Sequence, residues 1–302
     1  MTAITQARRQ KRQARVVSLI FTYALLILFA VIFAFPLLFM LMSSLKPDEA
    51  IFADVRSFRA FLPVGEISLE NFRLVFGRSP FWLYFRNSLI ITGVTVIAGL
   101  LINSMAAFAL SRLRWRGQAV VLAAIIGTLI IPFEAIAIPL LFMTGQLPWL
   151  DIGLSGVTLE RSWLNTMHVQ IVPFIASAFS IFLFYQFFLD IPREIDEAAT
   201  VDGASPWRIY WNLILPLSRP VFATVAILQF LGMWNAYLWP IIAVYGQDVR
   251  PIMPGIQQFF GRTVEWGQIM AYASLITIPI LVVFLFFQDW FIRSIASSGA
   301  KG

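Results

Sequence analysis

Six long apolar runs alternate with short polar segments along this chain: Val16–Met42, Phe85–Leu110, Ala119–Met143, Met167–Leu189, Val221–Val244 and Gln268–Ile292. Each is long enough to cross a hydrocarbon core of about 30 Å, which takes about 20 helical residues. The pattern predicts an all-α membrane protein with six transmembrane helices. Lys and Arg in the polar segments set its orientation. Arg8, Arg9, Lys11, Arg12 and Arg15 precede the first run, and Arg112, Arg114 and Arg116 lie between the second and third. The positive-inside rule places both groups in the cytoplasm. The segment after the fourth run and the tail carrying Arg293 and Lys301 then lie inside too, so both termini are expected to be cytoplasmic. Outside lie Lys46–Phe81, Gly145–Arg161 and Tyr245–Trp266. The first of these carries Lys46, Arg56, Arg59, Arg73 and Arg78 against the rule, so the short loops and the N-terminal tail decide the orientation. The first run far exceeds the 7–15-residue apolar stretch of a signal peptide and reads as an uncleaved span. The expected organisation is a basic tail over 1–15, one transmembrane domain over 16–293 and a C-terminal tail over 294–302.

The polar segment within 190–220 has its own pattern. Pro192 suits a first helical turn, where its missing N–H is not needed. Ile195, Ala198 and Ala199 fall at i, i+3 and i+4 on one face. Gly203 sits where a helix would end in a left-handed turn. Ser205-Pro206 restarts a helix as cap plus first-turn proline. Trp207, Tyr210, Trp211 and Ile214 make a second apolar stripe, and Pro216 is expected to stop it. The prediction is two short amphipathic helices with a tight knuckle between them, offered to a partner outside the bilayer.

Composition narrows the chemistry. Of 302 residues, 59% are hydrophobic and 13% charged, against about 25% charged in soluble domains. The absence of cysteine removes disulfide and thiol chemistry, and the single histidine, His168, leaves any metal site to carboxylates alone. An intramembrane enzyme lacks a nucleophile–base pair here. The net charge of +6 flanks apolar runs rather than forming a basic patch interleaved with aromatics, which argues against nucleic acid. The sequence contains no GxxxxGK[ST], so a P-loop cannot cradle a nucleotide in this chain.

The knuckle also carries a resemblance. Glu197-Ala198-Ala199, three residues, Gly203, nine residues, Leu213, one residue and Leu215-Pro216 is similar to the EAA loop of ABC-importer permease subunits, with Leu213 where that family usually has Ile. Asp202 and Ala204 flank the glycine. Smaller motifs recur in family order: Ser43-Ser-Leu-Lys-Pro47, Ser68-Leu-Glu-Asn-Phe72, Asn87-Ser-Leu89, Ala106-Ala-Phe-Ala-Leu-Ser-Arg112, Trp234-Asn-Ala-Tyr-Leu-Trp-Pro240 and Ser298-Gly-Ala-Lys-Gly302. Together they resemble the second permease subunit of carbohydrate importers of the maltose-transporter type. The resemblance implies a bacterial inner-membrane location and alternating-access import of a sugar, polyol or related glycoside. It implies a second permease subunit as heterodimer partner, two ATPase subunits and an external substrate-binding protein. ATP and magnesium would bind the ATPase, with no cofactor in this chain. In the loop, Glu197 would pair with a basic group on the ATPase, Ala198 and Ala199 would allow close packing, and Gly203 would make the turn.

Several residues are candidates for a substrate path. Asn235, flanked by Trp234 and Tyr237, interrupts the fifth run: aromatic faces stack on sugar rings, and an amide offers donors and an acceptor. Asn235 suits either a cavity or a partner helix. Trp239 reads better as part of an interfacial aromatic belt. Asn103, with Ser104, suits helix–helix hydrogen bonding or a path. Glu134 is the only acid in the third run. At about 1.5 Å per residue it lies roughly 22 Å from the cytoplasmic start, off-centre for a proton relay. Pro132 and Pro139 are expected to bend that helix. His168 reads as an interfacial residue. A secondary transporter or channel, the main alternative, should show coupling acids or paired broken helices at mid-membrane.

Overall fold

A computed structural model describes residues 2–153, 156–261 and 263–299. Leu154, Ser155, Arg262 and Ala300–Gly302, which include Lys301 and the end of the terminal Ser298–Gly302 motif, lie outside the described residues. Among the described residues the chain is mostly helical. Four helices are long and apolar enough to cross a membrane, or six if each of two bent pairs forms one span.

The chain divides into two compact units. The first comprises residues 1–78 and 258–275. Its helices are α1 (Thr2–Ser43), α2 (Asp48–Asp54), α3 (Glu70–Arg78) and the start of a long terminal helix, Trp266–Gly299. Helix α1 runs without a break through the basic tail into the first apolar run. The polar motifs of this unit build a cap. Lys46, buried, donates to Asp54 Oδ2 at 2.9 Å and to the Arg59 carbonyl at 2.6 Å. Asn71 Nδ2 donates to the carbonyls of Ser44 and Lys46. Asp48 accepts from the backbone N–H groups of Trp266 and Gly267 at 2.9 and 2.7 Å, which satisfies orphan donors at a helix start.

The second unit comprises residues 79–257 and 276–302. It contains α4 (Phe81–Ser111), α5 (Gln118–Thr128), α6 (Phe133–Gly145), the antiparallel hairpin β1 (Trp149–Gly153) and β2 (Gly156–Glu160), then α7 (His168–Ile175) and α8 (Ala178–Asp190). It continues with α9 (Glu194–Val201), α10 (Pro206–Leu217), α11 (Arg219–Trp234) and α12 (Leu238–Ala243), and ends in the rest of the terminal helix, α13.

Three predicted spans are not continuous helices. The run Ala119–Met143 breaks into α5 and α6 with a bend of 104°. Pro132 sits at the break, where its missing N–H and ring end one ladder and precede the next. Pro139 stays inside α6. The run Met167–Leu189 has a break at Ala176-Ser177, and the buried Asn103 side chain replaces the lost helix bonds. Its Nδ2 donates to the Ile175 carbonyl at 2.9 Å and its Oδ1 accepts from the Ser177 N–H at 2.9 Å. The run Val221–Val244 stops at Trp234, where Asn235 Nδ2 bonds the Leu231 carbonyl at 2.9 Å. It restarts at Leu238, leaving Pro240 in a first turn where no N–H is required.

Candidate functional site

The knuckle forms as two helices, with edges that differ from the sequence pattern. Pro192 lies just before α9 rather than in its first turn, and Arg193 is the N-cap. Glu194, Asp196 and Glu197 fill the first turn, where acids complement the helix dipole. Gly203 has φ +79°, the left-handed conformation the turn requires, with open space around it. Ser205 then caps α10 by accepting from the Arg208 N–H. Pro216 does not end α10. Helical bonding runs on to Leu217 and breaks at Ser218, because a π-turn over Tyr210–Ile214 widens the helix just before the proline. Helices α10 and α11 meet at 79°.

Each predicted apolar stripe splits between core and surface. Ile195, Ala199 and Ala204 pack on a core made by α4, α8, α10 and α11, whereas Ala198 is exposed. Tyr210 and Ile214 are buried, while Trp207 and Trp211 face outward. Leu213 and Leu215 are partly buried against the same core, and Pro216 is exposed. The free edge therefore carries Glu197, Ala198, Val201, Asp202, Gly203 and Trp207. Val201 is 88% exposed and Trp207 58%, so much of both apolar side chains is uncovered, although the Trp207 ring meets those of Tyr210 and Trp211.

Contacts absent from the sequence reading tie the knuckle to the bundle. Arg112, at the end of α4, is 3% exposed and pairs with Asp196 Oδ2 at 2.8 Å. The same guanidinium donates to the Phe188 carbonyl and, at 2.7 Å, to the Ile191 carbonyl, capping α8. Arg193 donates to the Ser111 carbonyl at 3.2 Å. On α10, the Tyr210 hydroxyl meets the Ser104 hydroxyl at 2.7 Å. The sequence signal was Arg112 at the end of a family motif, read there for its charge alone.

The candidate path residues do not gather at one place. A cavity of about 620 Å³ lies in this unit between α4, α7, α8, α11 and α12. Of the five candidates, only Tyr237 lines it, its hydroxyl accepting from Gln257 Nε2 at 3.0 Å. Asn103 is committed to the α7–α8 break. Trp234 is buried, donates to the Ile276 carbonyl at 3.0 Å and stacks on Phe230. Asn235 is exposed, as the C-cap of α11. Glu134 is exposed in the first turn of α6, an acid at a helix N-terminus. Trp239 is not part of an exposed belt. It is buried, donates to the Val169 carbonyl at 2.9 Å and meets Phe133 and Phe174 edge-on in the cavity wall. His168 stacks on Trp149 with ring centroids 3.9 Å apart. The pattern of apolar runs did not single out the polar wall residues Ser88, Thr92, Gln170, Ser177, Ser180 and Gln229. Among the described residues no cluster of three His, Cys, Asp or Glu is placed to hold a metal ion.

A helical membrane unit with a clamped, outward-facing knuckle is the arrangement of an importer's membrane-spanning permease component. The chain belongs to the family of binding-protein-dependent transport system inner membrane components, whose family model matches residues 99–297. It is 30% identical over 275 residues to the arabinooligosaccharides transport system permease protein AraQ of Halalkalibacterium halodurans, covering 90% of this chain and 93% of that protein. It is 31% identical over 288 residues to the sn-glycerol-3-phosphate transport system permease protein UgpE of Salmonella typhimurium, covering 92% and 96%. The diacetylchitobiose uptake system permease protein NgcG of Streptomyces coelicolor is 32% identical over 286 residues, covering 93% and 87%. The fold matches, with TM-score 0.74 and 24% identity, a chain of a bacterial ABC transporter involved in the import of the acidic polysaccharide alginate, covering 93% of this chain and 98% of that one. Family membership sets aside the secondary-transporter alternative.

Proposed function

We propose that this permease subunit moves a sugar, polyol or related glycoside across a bacterial inner membrane, driven by ATP hydrolysis in separate ATPase subunits. The observation that carries the ATPase docking is the free edge of the knuckle. An 88%-exposed valine and a 58%-exposed tryptophan flank a left-handed glycine turn, on helices clamped to the bundle by a buried arginine. Apolar edges of this kind mark interaction surfaces. The knuckle faces the cytoplasm with both termini, in a six-span topology where each bent pair crosses as one span. A second permease subunit completes a heterodimer, two ATPase subunits bind ATP and magnesium, and an external binding protein delivers substrate. Glu197 pairs with a basic group on the ATPase, and Ala198, beside it, admits close approach. Closure of the ATPase dimer pulls on the knuckle. Arg112 carries the displacement to α4 and α8, and the bundle alternates access. The carbohydrate class is supported by relatives named for arabinooligosaccharides and diacetylchitobiose.

The test is ATPase activity of the reconstituted importer, stimulated by binding protein plus substrate. Substituting Gly203→Asp, which disturbs the turn without displacing any neighbour, should uncouple hydrolysis from uptake while the protein still inserts. Unchanged coupling would remove the role assigned to the knuckle.

A further inference from the structure

We infer that residues 51–62 form a lipid anchor. Phe58 and its apolar neighbours insert at the hydrocarbon–headgroup boundary of the leaflet opposite the basic tail, and Arg56 and Arg59 bind lipid phosphates there. The inference goes beyond the importer reading and holds whichever side of the membrane the tail occupies.

Charge that opposes the positive-inside rule is the first observation. Lys46, Arg56, Arg59, Arg73 and Arg78 lie beyond α1, on the far side from the tail. Three of these cations are matched within the protein. Lys46 pairs with Asp54 at 2.9 Å, Arg73 with Glu70 at 3.6 Å, and Arg78 with Glu265. Arg56 and Arg59 are exposed and, among the described residues, have no carboxylate partner. They punctuate the apolar stretch Ile51-Phe-Ala-Asp-Val-Arg-Ser-Phe-Arg-Ala-Phe-Leu62, whose only acid, Asp54, is taken by Lys46. Phe58 is 88% exposed, and Phe52, Val55 and Leu62 are exposed as well. Aromatic and aliphatic side chains alternating with free arginines are the composition of a segment that lies in a membrane interface.

Ring contacts within the first unit set the depth of this stretch. Arg15 is the last charged residue before Lys46. Phe35 stands about 30 Å along the helix from Arg15, the thickness of a hydrocarbon core. The chain leaves α1 at Ser43, about 12 Å beyond Phe35, and then turns back. Phe61 meets Phe35 with ring centroids 4.5 Å apart and Phe39 with centroids 6.0 Å apart. Phe52 meets Trp266 edge-on at 6.1 Å, and Trp266 opens the apolar helix Trp266–Gln288, which is long enough to span. Both ends of the stretch therefore lie beside span ends. The fold-back is fixed from the protein side. Lys46, 1% exposed, donates to the Arg59 carbonyl at 2.6 Å as well as to Asp54. Ser57 caps a single 3₁₀ turn, Phe58–Phe61, by accepting from the Arg59 N–H. Ile51 and Ala60 are buried. The remaining apolar side chains are continuous with the uncovered apolar surface of α1, so the bilayer that covers α1 covers them too. At that depth the guanidinium groups of Arg56 and Arg59 reach phosphate oxygens, which their planar forks match.

The test uses the assembled importer in nanodiscs, with one thiol placed in a chain that contains no cysteine. Phe58→Cys carries an environment-sensitive fluorophore, and Val55→Cys carries it in a second preparation with Phe58 intact. In both, emission should shift to the blue. Phosphatidylcholine brominated near the top of its acyl chains should quench the label, and iodide in the buffer should quench it far less than the free dye. Adding Arg56→Gln and Arg59→Gln to the labelled chain should cause a loss of bromolipid quenching and a gain of iodide quenching. That loss should be larger in discs containing phosphatidylglycerol than in phosphatidylcholine alone, because anionic lipid strengthens the attraction. Iodide quenching equal to that of the free dye, with none from bromolipid, would place the stretch in water and overturn the anchor. Protection from both quenchers would mean that another subunit covers the patch, and would overturn it equally. Unchanged quenching in the arginine variant would overturn the role given to Arg56 and Arg59. None of these outcomes bears on ATPase docking or on the substrate.

Discussion

The knuckle and the cavity lie toward opposite ends of α4, yet they are built in different ways. At about 1.5 Å per residue, Thr92 and Arg112 stand roughly 30 Å apart along the helix direction. The knuckle is made of local punctuation: a first turn of acids, a left-handed glycine, a serine cap and a proline. A few long-range contacts, Arg112 with Asp196 and the Ile191 carbonyl, Arg193 with the Ser111 carbonyl and Tyr210 with Ser104, fix it to the bundle. The cavity is made of interruptions. Helices α5–α6, α7–α8 and α11–α12 each break; the distant Asn103 patches the backbone at α7–α8, and the local Asn235 does so at the end of α11. Rigid, locally specified structure suits an element that transmits a push. A wall of broken helices suits a part of the molecule that must rearrange.

The contrast can be broken first at the knuckle's anchor. Arg112→Ala should cost about 3 kcal/mol, because it leaves Asp196 unpaired in a partly buried position and uncaps α8. Unfolding titrations in mixed micelles read the loss. Arg112→Lys should recover only part of it, since an ammonium cannot reproduce the forked contact to carboxylate and two carbonyls. On the cavity side, Asn103→Leu should cost about 2–3 kcal/mol by stranding the Ser177 N–H and the Ile175 carbonyl. It should also raise backbone hydrogen exchange at the α7–α8 break more than at the knuckle. Gly203→Val should cost about 1–2 kcal/mol through its positive φ alone. It should depress coupling more than Gly203→Asp, since aspartate tolerates the left-handed region better. Thr92→Val should move stability by less than about 0.5 kcal/mol, since the hydroxyl it removes bonds to nothing among the described residues.

These two regions also differ in how far they were legible. The knuckle announced itself because capping and turn chemistry are short-range: Gly203, Ser205 and Pro206 needed only their neighbours. Its inward and outward faces were less legible. Ala198 and Trp207 sit on apolar stripes but face outward, because an apolar face left uncovered has the same periodicity as a core face. Arg112 was read only for its charge, since a buried pair to Asp196 joins residues far apart in sequence. The membrane-spanning runs were plain from hydropathy, while their breaks were not, except where Pro132 marked one. Asn103 read as helix–helix glue or a path residue, and Trp239 as a belt residue, because their types suit those roles. Only the three-dimensional positions of the Ile175 and Val169 carbonyls show that both side chains satisfy backbone groups. The cavity's polar wall was missed for the same reason. Thr92, Gln170 and Gln229 lie on three separate helices, and nothing in their spacing brings them together.

The central claim is that the knuckle's free edge docks on the ATPase. The chain contains no cysteine, so single cysteines report without background. Val201→Cys, at the most exposed apolar position of the edge, should form a short-linker cross-link to the ATPase subunit in the assembled importer, at a yield that changes when ATP is bound. Tyr245→Cys, 74% exposed in the segment after α12, should form none. A cross-link from position 245 with none from position 201 would contradict the account.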